Sequence, residues 1–260
     1  MGGFLQTFNG RRDNDGIWTF DLDERCNGAF GGTNGGVLTA ISLYAARDGS
    51  ARRAASIDSR YLRGFRPGTA RIEVTTLNEG RTLTIASVDV IDANDRLCTR
   101  STVTLVDEAA LATAITLANQ ITPPDDLCDF DDGNIWRQPK GMPIPLIDTF
   151  EPRTVGGSGN ATTTATKVIW QEPGTTSEAA CIAADISVGP PVARAVRGAA
   201  STPNPDLSLR FCSTHLRTRH LNATCELQAI AGGLAATRIA VFSERELIAI
   251  GISSTTCLLK

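Results

Sequence analysis

The stretch GGVLTAISLYAAR, residues 35–47, places Val37, Ile41, Tyr44 and Ala45 at helical spacing. It precedes runs rich in Val, Ile and Thr, which turn residues such as RPG and NEG separate: ASIDSRYL (55–62), ARIEVTTL (70–77), TLTIASVDVID (82–92) and RLCTRSTVTLV (96–106). Helices and strands do not alternate, which disfavours a doubly wound parallel sheet. The pattern predicts one helix packed against an antiparallel sheet.

The same order returns in the second half of the chain. The small-residue stretch TTSEAACIAADI (175–186) predicts another helix, and Thr175 with Glu178 forms a possible capping box at its start. Four strand-like runs follow: PDLSLRF (205–211), LNATCELQAI (221–230), LAATRIAVF (234–242) and LIAIGISSTTCLL (247–259).

Equivalent positions in the two halves lie about 150 residues apart. The pairs are Trp18 with Trp170, Ile57 with Leu207, and Leu97 with Leu247. Such a constant offset indicates a tandem duplication. We therefore predict two central helices, near 35–47 and 177–188.

Residues 119–150 are rich in proline and acidic residues and show no periodicity, which is typical of an irregular connection. We therefore predict a first domain over 1–118, a linker over 119–150 and a second domain over 151–260.

Composition excludes several classes of protein. The 260 residues carry a net charge of −3, so no basic excess indicates nucleic-acid binding. No apolar run reaches the roughly 18 residues that a membrane helix needs. The beginning of the chain does not resemble a signal peptide, and the seven scattered cysteines include no CxxC pair. These features predict a cytoplasmic protein with free thiols and without a metal site.

Each half resembles a hotdog fold, in which a curved antiparallel sheet wraps one helix. Together they resemble the double hotdog of the type II acyl-CoA thioesterase family and its thioesterase-like relatives. The resemblance covers nearly the whole chain and is carried by GTNGGVLTAISLYAA (32–46), IDSRYLRGFRPG (57–68), NEGRTLTIASVDVIDANDRLCTRSTVTL (78–105), EAACIAADISVGPP (178–191), PDLSLRF (205–211) and GGLAATRIAVFSERELIA (232–249). It implies an α+β fold.

The resemblance implies a hydrolase of lipid metabolism that cleaves an acyl thioester of coenzyme A or of a carrier-protein pantetheine, without a cofactor. The alternative is a double hotdog that binds an acyl or polyketide-like ligand without hydrolysing it, or that catalyses a different reaction on it. Since paired sheets leave fewer exposed strand edges, we expect the two halves to pair within one chain. Further association into a homo-oligomer is compatible with this arrangement but not required.

Three candidate catalytic residues follow from the resemblance. The family places a catalytic Asp at the start of a second-half strand, and Asp206 in PDLSLRF matches that place. A carboxylate there would orient or deprotonate the attacking water. Gln228 aligns near the family's Thr, and Ser253 aligns with its Gln, so the expected pair is not reproduced. For all three residues an ordinary strand position is the alternative.

Asn34, Gly35 and Gly36 precede or begin the first helix, where free N–H groups could hold a developing oxyanion. The alternative for the glycines is a structural tight turn, and Asn34 caps the helix or touches the ligand. Asp185 matches an acid common in the second-half helix of these relatives. It is either a second acid in the pocket or, as we favour, a structural residue at the helix end that bonds the loop at Pro190 and Pro191. The two histidines, His215 and His220, have no zinc spacing or serine-hydrolase motif beside them.

Overall fold

The computed structural model describes residues 2–112, 121–125, 127–141, 143–196 and 201–258. Its helices are α1 (Phe4–Thr7), α2 (Gly35–Arg47), α3 (Pro145–Phe150) and α4 (Thr176–Ala195). Its strands are β1 (Gly10–Arg12), β2 (Trp18–Leu22), β3 (Arg53–Tyr61), β4 (Gly68–Glu79), β5 (Leu83–Ile91), β6 (Leu97–Val106), β7 (Asn134–Ile135), β8 (Arg153–Gly156), β9 (Ala161–Lys167), β10 (Asp206–Phe211), β11 (His220–Ala231), β12 (Leu234–Ser243) and β13 (Glu246–Thr256).

All the strands among the described residues form one antiparallel sheet in the order β1-β2-β4-β5-β6-β3-β10-β13-β12-β11-β9-β8-β7. The order β2-β4-β5-β6-β3 is mirrored by β9-β11-β12-β13-β10 about the junction of β3 with β10. At that junction Ile57 pairs with Leu209. The predicted α+β double hotdog and the pairing of its halves within one chain are therefore confirmed.

The repeat is regular in the strands that follow each central helix. Strands β3 to β6 begin at residues 53, 68, 83 and 97, and their counterparts β10 to β13 begin at 206, 220, 234 and 246. The near-constant separation of about 150 confirms the tandem repeat, because sheet registers tolerate few insertions.

The equivalence of Trp18 and Trp170 is wrong. Trp18 begins β2, whereas Trp170 lies outside the strands, three residues beyond the end of β9. The strand equivalent to β2 is β9, which consists mostly of Thr and Ala. Trp170 instead packs against Phe4 and Phe8, with ring centroids 5.2 and 5.6 Å away. A short apolar run around a Trp can therefore be a core contact of a loop rather than a strand.

The two central helices α2 and α4 lie against each other and pack against the sheet. Most α2 side chains are short or branched, and Val37, Ala40, Ile41 and Leu43 are fully buried. The α2 bounds agree with the prediction. Helix α4 is longer than predicted, because it continues beyond Pro190 and Pro191.

The predicted capping box at the start of α4 is absent. Thr175 makes no side-chain cap hydrogen bond; its hydroxyl donates to the carbonyl oxygen of Glu172 at 2.7 Å. The Glu178 side chain instead accepts a hydrogen bond from Arg47 at 2.5 Å. A tertiary ion pair therefore replaces the local cap.

The stretch predicted as a linker contributes α3 and the edge strand β7, which pairs with β8. The predicted boundary at residue 118 lies outside the described residues, so the division at 118 and 150 stays a prediction. No helix of the described part of the chain combines the length and apolarity that crossing a bilayer would require.

Candidate active site

A cavity of about 700 Å³ lies where the two halves meet, at the N-terminal end of α2. The first half contributes Asn34, Gly35 and Tyr61, and the second half contributes Asp185 and Asn204. The rest of the wall is mainly apolar and includes Leu38, Phe65, Trp136, Ile144, Leu146, Ile147, Ile186 and Pro190. An apolar cavity with a few converging polar groups is typical of a small-molecule site.

Asp185 is the buried acid of this cavity, with 6% of its surface exposed. Its carboxylate accepts hydrogen bonds from Asn34 Nδ2 at 2.6 Å and from Asn204 Nδ2 at 2.7 Å. It also accepts the Gly36 backbone N–H and the Tyr61 hydroxyl, the latter at 3.3 Å. The two asparagines and the helix start therefore fix the position of this charge.

Burial raises the pKa of Asp185, and the hydrogen bonds from Asn204, Gly36, Tyr61 and Asn34 oppose that rise. Burial also raises the pKa of Tyr61, so the phenol stays protonated as a donor. Tyr61 Oη lies 2.9 Å from Thr39 Oγ1 and can donate there instead of to Asp185. Its longer bond to Asp185 is thus the one that a water molecule could replace.

The start of α2 requires glycine for steric reasons. A Cβ at Gly35 would lie 2.4 Å from the Tyr61 ring, and one at Gly36 would lie 2.7 Å from the Cys181 carbonyl oxygen. Asn34 caps the helix, because its Oδ1 accepts the Val37 N–H at 3.3 Å. As the first residue of α2, Gly35 has an N–H without an intrahelical acceptor. The residues that the structure describes provide no other acceptor for it, so the helix end offers a donor at the cavity wall.

We expect Gly36→Ala to destabilise the fold by about 1–3 kcal/mol, because the added methyl group meets backbone atoms of α4 that cannot rotate away. Urea unfolding of the two proteins measures this difference. Gly189→Ala is the matched control, since a Cβ there meets nothing within 4 Å and alanine favours a helix. An unaltered free energy of unfolding in Gly36→Ala would contradict the close helix contact.

Asp206 is not among the residues that line the cavity. Leu207 and Leu209 of β10 are buried in the core, so alternation places Asp206 on the opposite face of the sheet. Its Oδ1 accepts the Ser254 N–H at 2.7 Å, and Oδ2 lies 3.7 Å from Arg60 Nη1. The Asp206 side chain is 19% exposed.

The structure brings Ser253 to Asp206 but leaves Gln228 apart. Ser253 is buried, and its hydroxyl donates to the Asp206 backbone carbonyl at 2.7 Å. Gln228 is exposed at the bulge of β11, three strands away from β10, or about 14 Å at ordinary strand spacing. The catalytic roles of these three residues stay predictions.

The pseudo-equivalent place at the start of α4 is filled by side chains. Glu178 is fully buried and paired with Arg47, at the C-terminal end of α2. Nearby, Glu172 accepts hydrogen bonds from the Phe4 N–H at 2.8 Å and from the Tyr44 hydroxyl at 3.2 Å. The duplication has therefore left a cavity at the start of α2 and a packed, ion-paired core at the start of α4.

Asp185 is a candidate from the sequence, whereas no sequence pattern points to Tyr61 or Asn204. Asn204 lies between two prolines in an aperiodic loop, where no pattern indicates the direction of a side chain. The alternation of Leu207, Leu209 and Phe211 could have indicated that Asp206 faces away from the helices.

Fold and cavity together define a double-hotdog protein with an acid-containing site between its repeats. Residues 24–106 match the family model described as acyl-CoA thioesterase N-terminal domain, which confirms the resemblance found in the sequence. No curated protein matches the chain.

Solved structures share the fold over nearly the full length of the chain. An acyl-CoA thioesterase II from Mycobacterium marinum superimposes with a TM-score of 0.75 at 15% identity, covering 98% of each chain. A tesB protein from Mycobacterium avium subsp. paratuberculosis gives 0.74 at 18% identity, covering 97% of this chain and 96% of that one. A hot dog fold protein of unknown function from Alicyclobacillus acidocaldarius gives 0.74 at 14% identity, covering 96% of each chain.

Proposed function

We propose that this protein hydrolyses an acyl thioester in the cavity at the start of α2, with Asp185 as the general base. The single observation that carries the proposal is the buried Asp185 carboxylate, held on the cavity wall beside the start of a helix. The match of residues 24–106 to an acyl-CoA thioesterase domain supports the reaction class.

The reaction needs a water molecule that loses a proton as it attacks the thioester carbonyl carbon. Asp185 accepts that proton at Oδ1 when the Tyr61 hydroxyl turns to Thr39. The Gly35 N–H and the positive end of the α2 dipole stabilise the oxyanion. The C–S bond then breaks, and the leaving thiolate takes up the proton that Asp185 had accepted, which returns Asp185 to its carboxylate form.

A thiolate leaves without strong acid assistance, because an ordinary thiol has a pKa near 8.5. A site of this composition can therefore cleave thioesters without a histidine. We expect thioesters to be turned over far faster than the matching amides, whose amine leaving group needs a proton donor.

The sequence-based alternative assigns the base to Asp206, with Gln228 and Ser253 as its partners. Its support is the position of Asp206 at the start of β10, where the family has its catalytic acid. The geometry favours Asp185, because Asp185 lines the cavity and Asp206 lies beside Arg60 on the other face of the sheet. Replacing each acid by Asn distinguishes the two assignments.

The pH profile of turnover tests the state of the base. Asp185 works ionised, and burial raises its pKa, so kcat/KM should fall as the pH drops through a value above that of an ordinary aspartate. The measurement is release of free thiol from a panel of acyl-CoAs between pH 4 and 9. Ligand binding without release of thiol would favour the non-hydrolytic alternative.

A further inference from the structure

A hydrogen-bonded row of hydroxyl groups runs from Asp185 into the core of the first half, through Tyr61, Thr39, Ser59 and Ser101. Tyr61 Oη lies 3.3 Å from Asp185 Oδ1 and 2.9 Å from Thr39 Oγ1. Thr39 Oγ1 donates to Ser59 Oγ at 3.1 Å, and Ser59 Oγ lies 2.8 Å from Ser101 Oγ. Tyr61 lines the cavity, whereas the other members of this hydroxyl row are fully buried behind it.

The equivalent positions of the second half carry no hydroxyl group. Equivalence follows from the sheet, where β10 and β13 repeat the pairing of β3 with β6, and from the position counted along each central helix. Thr39, Ser59, Tyr61 and Ser101 correspond in this way to Ala180, Leu209, Phe211 and Gly251. Buried hydroxyl groups are costly, and residues without them fill the same places in the other repeat, so the fold itself does not require the row. Its presence beside the cavity therefore points to a role in the site.

The geometry fixes the direction in which the hydroxyl row donates. Thr39 has a single hydroxyl proton and gives it to Ser59, so toward Tyr61 its oxygen can only accept. The Tyr61 proton is therefore drawn to Thr39 at 2.9 Å and away from Asp185 at 3.3 Å. Asp185 Oδ1 also accepts the Asn204 amide, and its second lone pair is thereby left for a water molecule.

We propose that Thr39 and Ser59 are positioning residues, which hold the Tyr61 hydroxyl away from Asp185 and so keep the base open to the attacking water. The inference rests on the proposed function and deepens it, since neither positioning residue lines the cavity. Without Thr39, the Tyr61 proton has no acceptor other than Asp185 among the described residues. A hydrogen bond to the ionised form stabilises the carboxylate, which makes Asp185 a weaker base and takes the place of the water.

Asp185 is the group of this site whose charge changes with pH. The other titratable side chains around it in the described part of the chain are Tyr61 on β3, Cys181 on α4 and Cys225 on β11, and burial raises the pKa of each. All three therefore stay neutral at and below neutral pH. Arg63 also lines the cavity, and an arginine side chain does not titrate in this range. The acidic limb of the pH profile of turnover thus reports on Asp185.

Thr39→Val removes the central hydroxyl and keeps the shape of the side chain. We expect kcat to fall about tenfold with KM nearly unchanged, and the acidic limb of the kcat/KM profile to move to lower pH. Ser59→Ala should change both in the same direction, because Thr39 is then free to donate to Tyr61. Thr39→Ser should recover most of the lost rate. Ser42→Ala is the matched control and should leave both unaltered, since its buried hydroxyl donates to the Leu38 carbonyl oxygen outside the row.

Adding Tyr61→Phe to Thr39→Val distinguishes positioning from packing. The second substitution removes the donor that competes with the water at Asp185, so the double variant should turn over faster than Thr39→Val alone. If Thr39 acts only through packing, a second substitution in the same core cannot restore the rate. A double variant no faster than Thr39→Val would therefore overturn the inference.

An NMR titration of the Asp185 carboxyl carbon, whose signal Asp185→Asn identifies, needs no substrate and separates this inference from the proposed function. A lower midpoint in Thr39→Val than in the wild type supports the hydroxyl row even if the protein releases no thiol from any acyl-CoA, in which case the hydrolase proposal alone fails. Equal midpoints and equal turnover in Thr39→Val and Ser42→Ala would overturn the inference, whether or not the protein is a hydrolase.

Discussion

Asp185→Asn should lower kcat by about 10²–10⁴-fold, the usual loss when a general base is removed. The substitution keeps the shape of the side chain but removes the proton acceptor of the cavity. KM for the acyl-CoA should change little, because the substrate is held mainly by the apolar wall of the cavity. Steady-state release of free thiol measures both constants.

The substitution also places an amide opposite the amide donors of Asn34 and Asn204, which costs stability. The double variant Asp185→Asn with Asn204→Asp restores a carboxylate–amide pair in the same place. We expect it to recover most of the lost free energy of unfolding but little of the activity, since the charge has moved away from the α2 start. Recovery of full activity together with stability would show that Asp185 acts only through folding.

Arg47→Met should be the most destabilising of the substitutions considered, with a loss of about 3–5 kcal/mol at pH 7. The substitution leaves the buried Glu178 carboxylate without its cation. The loss is large because the Glu178 side chain is fully inaccessible to water and its Oε2 already has no hydrogen-bond partner among the described residues. Burial already raises the pKa of Glu178, and Arg47 counteracts that rise.

The pH dependence of the stability loss tests whether the unpaired charge of Glu178 causes it. In Arg47→Met the pKa of Glu178 rises further, so the loss should shrink as the pH falls and the carboxyl becomes protonated. Adding Glu178→Gln should recover part of the stability at pH 7. Urea unfolding at pH 7 and pH 5 measures both effects, and an equal loss at the two pH values would contradict the explanation.

Much of the fold follows from local sequence. The periodicity of residues 35–47 predicts α2 correctly, and the Val, Ile and Thr runs predict strands β3 to β6 and their repeats. Pro190 and Pro191 mark no end of α4, because the packing of that helix against α2 and the sheet overrides the local preference. The predicted equivalence of Trp170 with Trp18 fails for a related reason, since the Trp170 ring packs against Phe4, a residue distant in sequence.

The site is less accessible to sequence reasoning. Asn34 and Asp185 lie 151 residues apart, and the packing of α2 against α4 brings them together, whereas Asn204 reaches Asp185 from the loop before β10. The sequence therefore indicates the start of α2 as part of a site, but not which side chains surround it.

The most direct measurement is release of free thiol from one acyl-CoA by the wild type, Asp185→Asn and Asp206→Asn under identical conditions. We expect turnover in the wild type, a loss of about 10²–10⁴-fold in Asp185→Asn, and turnover close to that of the wild type in Asp206→Asn. Loss of turnover in Asp206→Asn with full activity in Asp185→Asn would contradict this expectation and return the base to the start of β10.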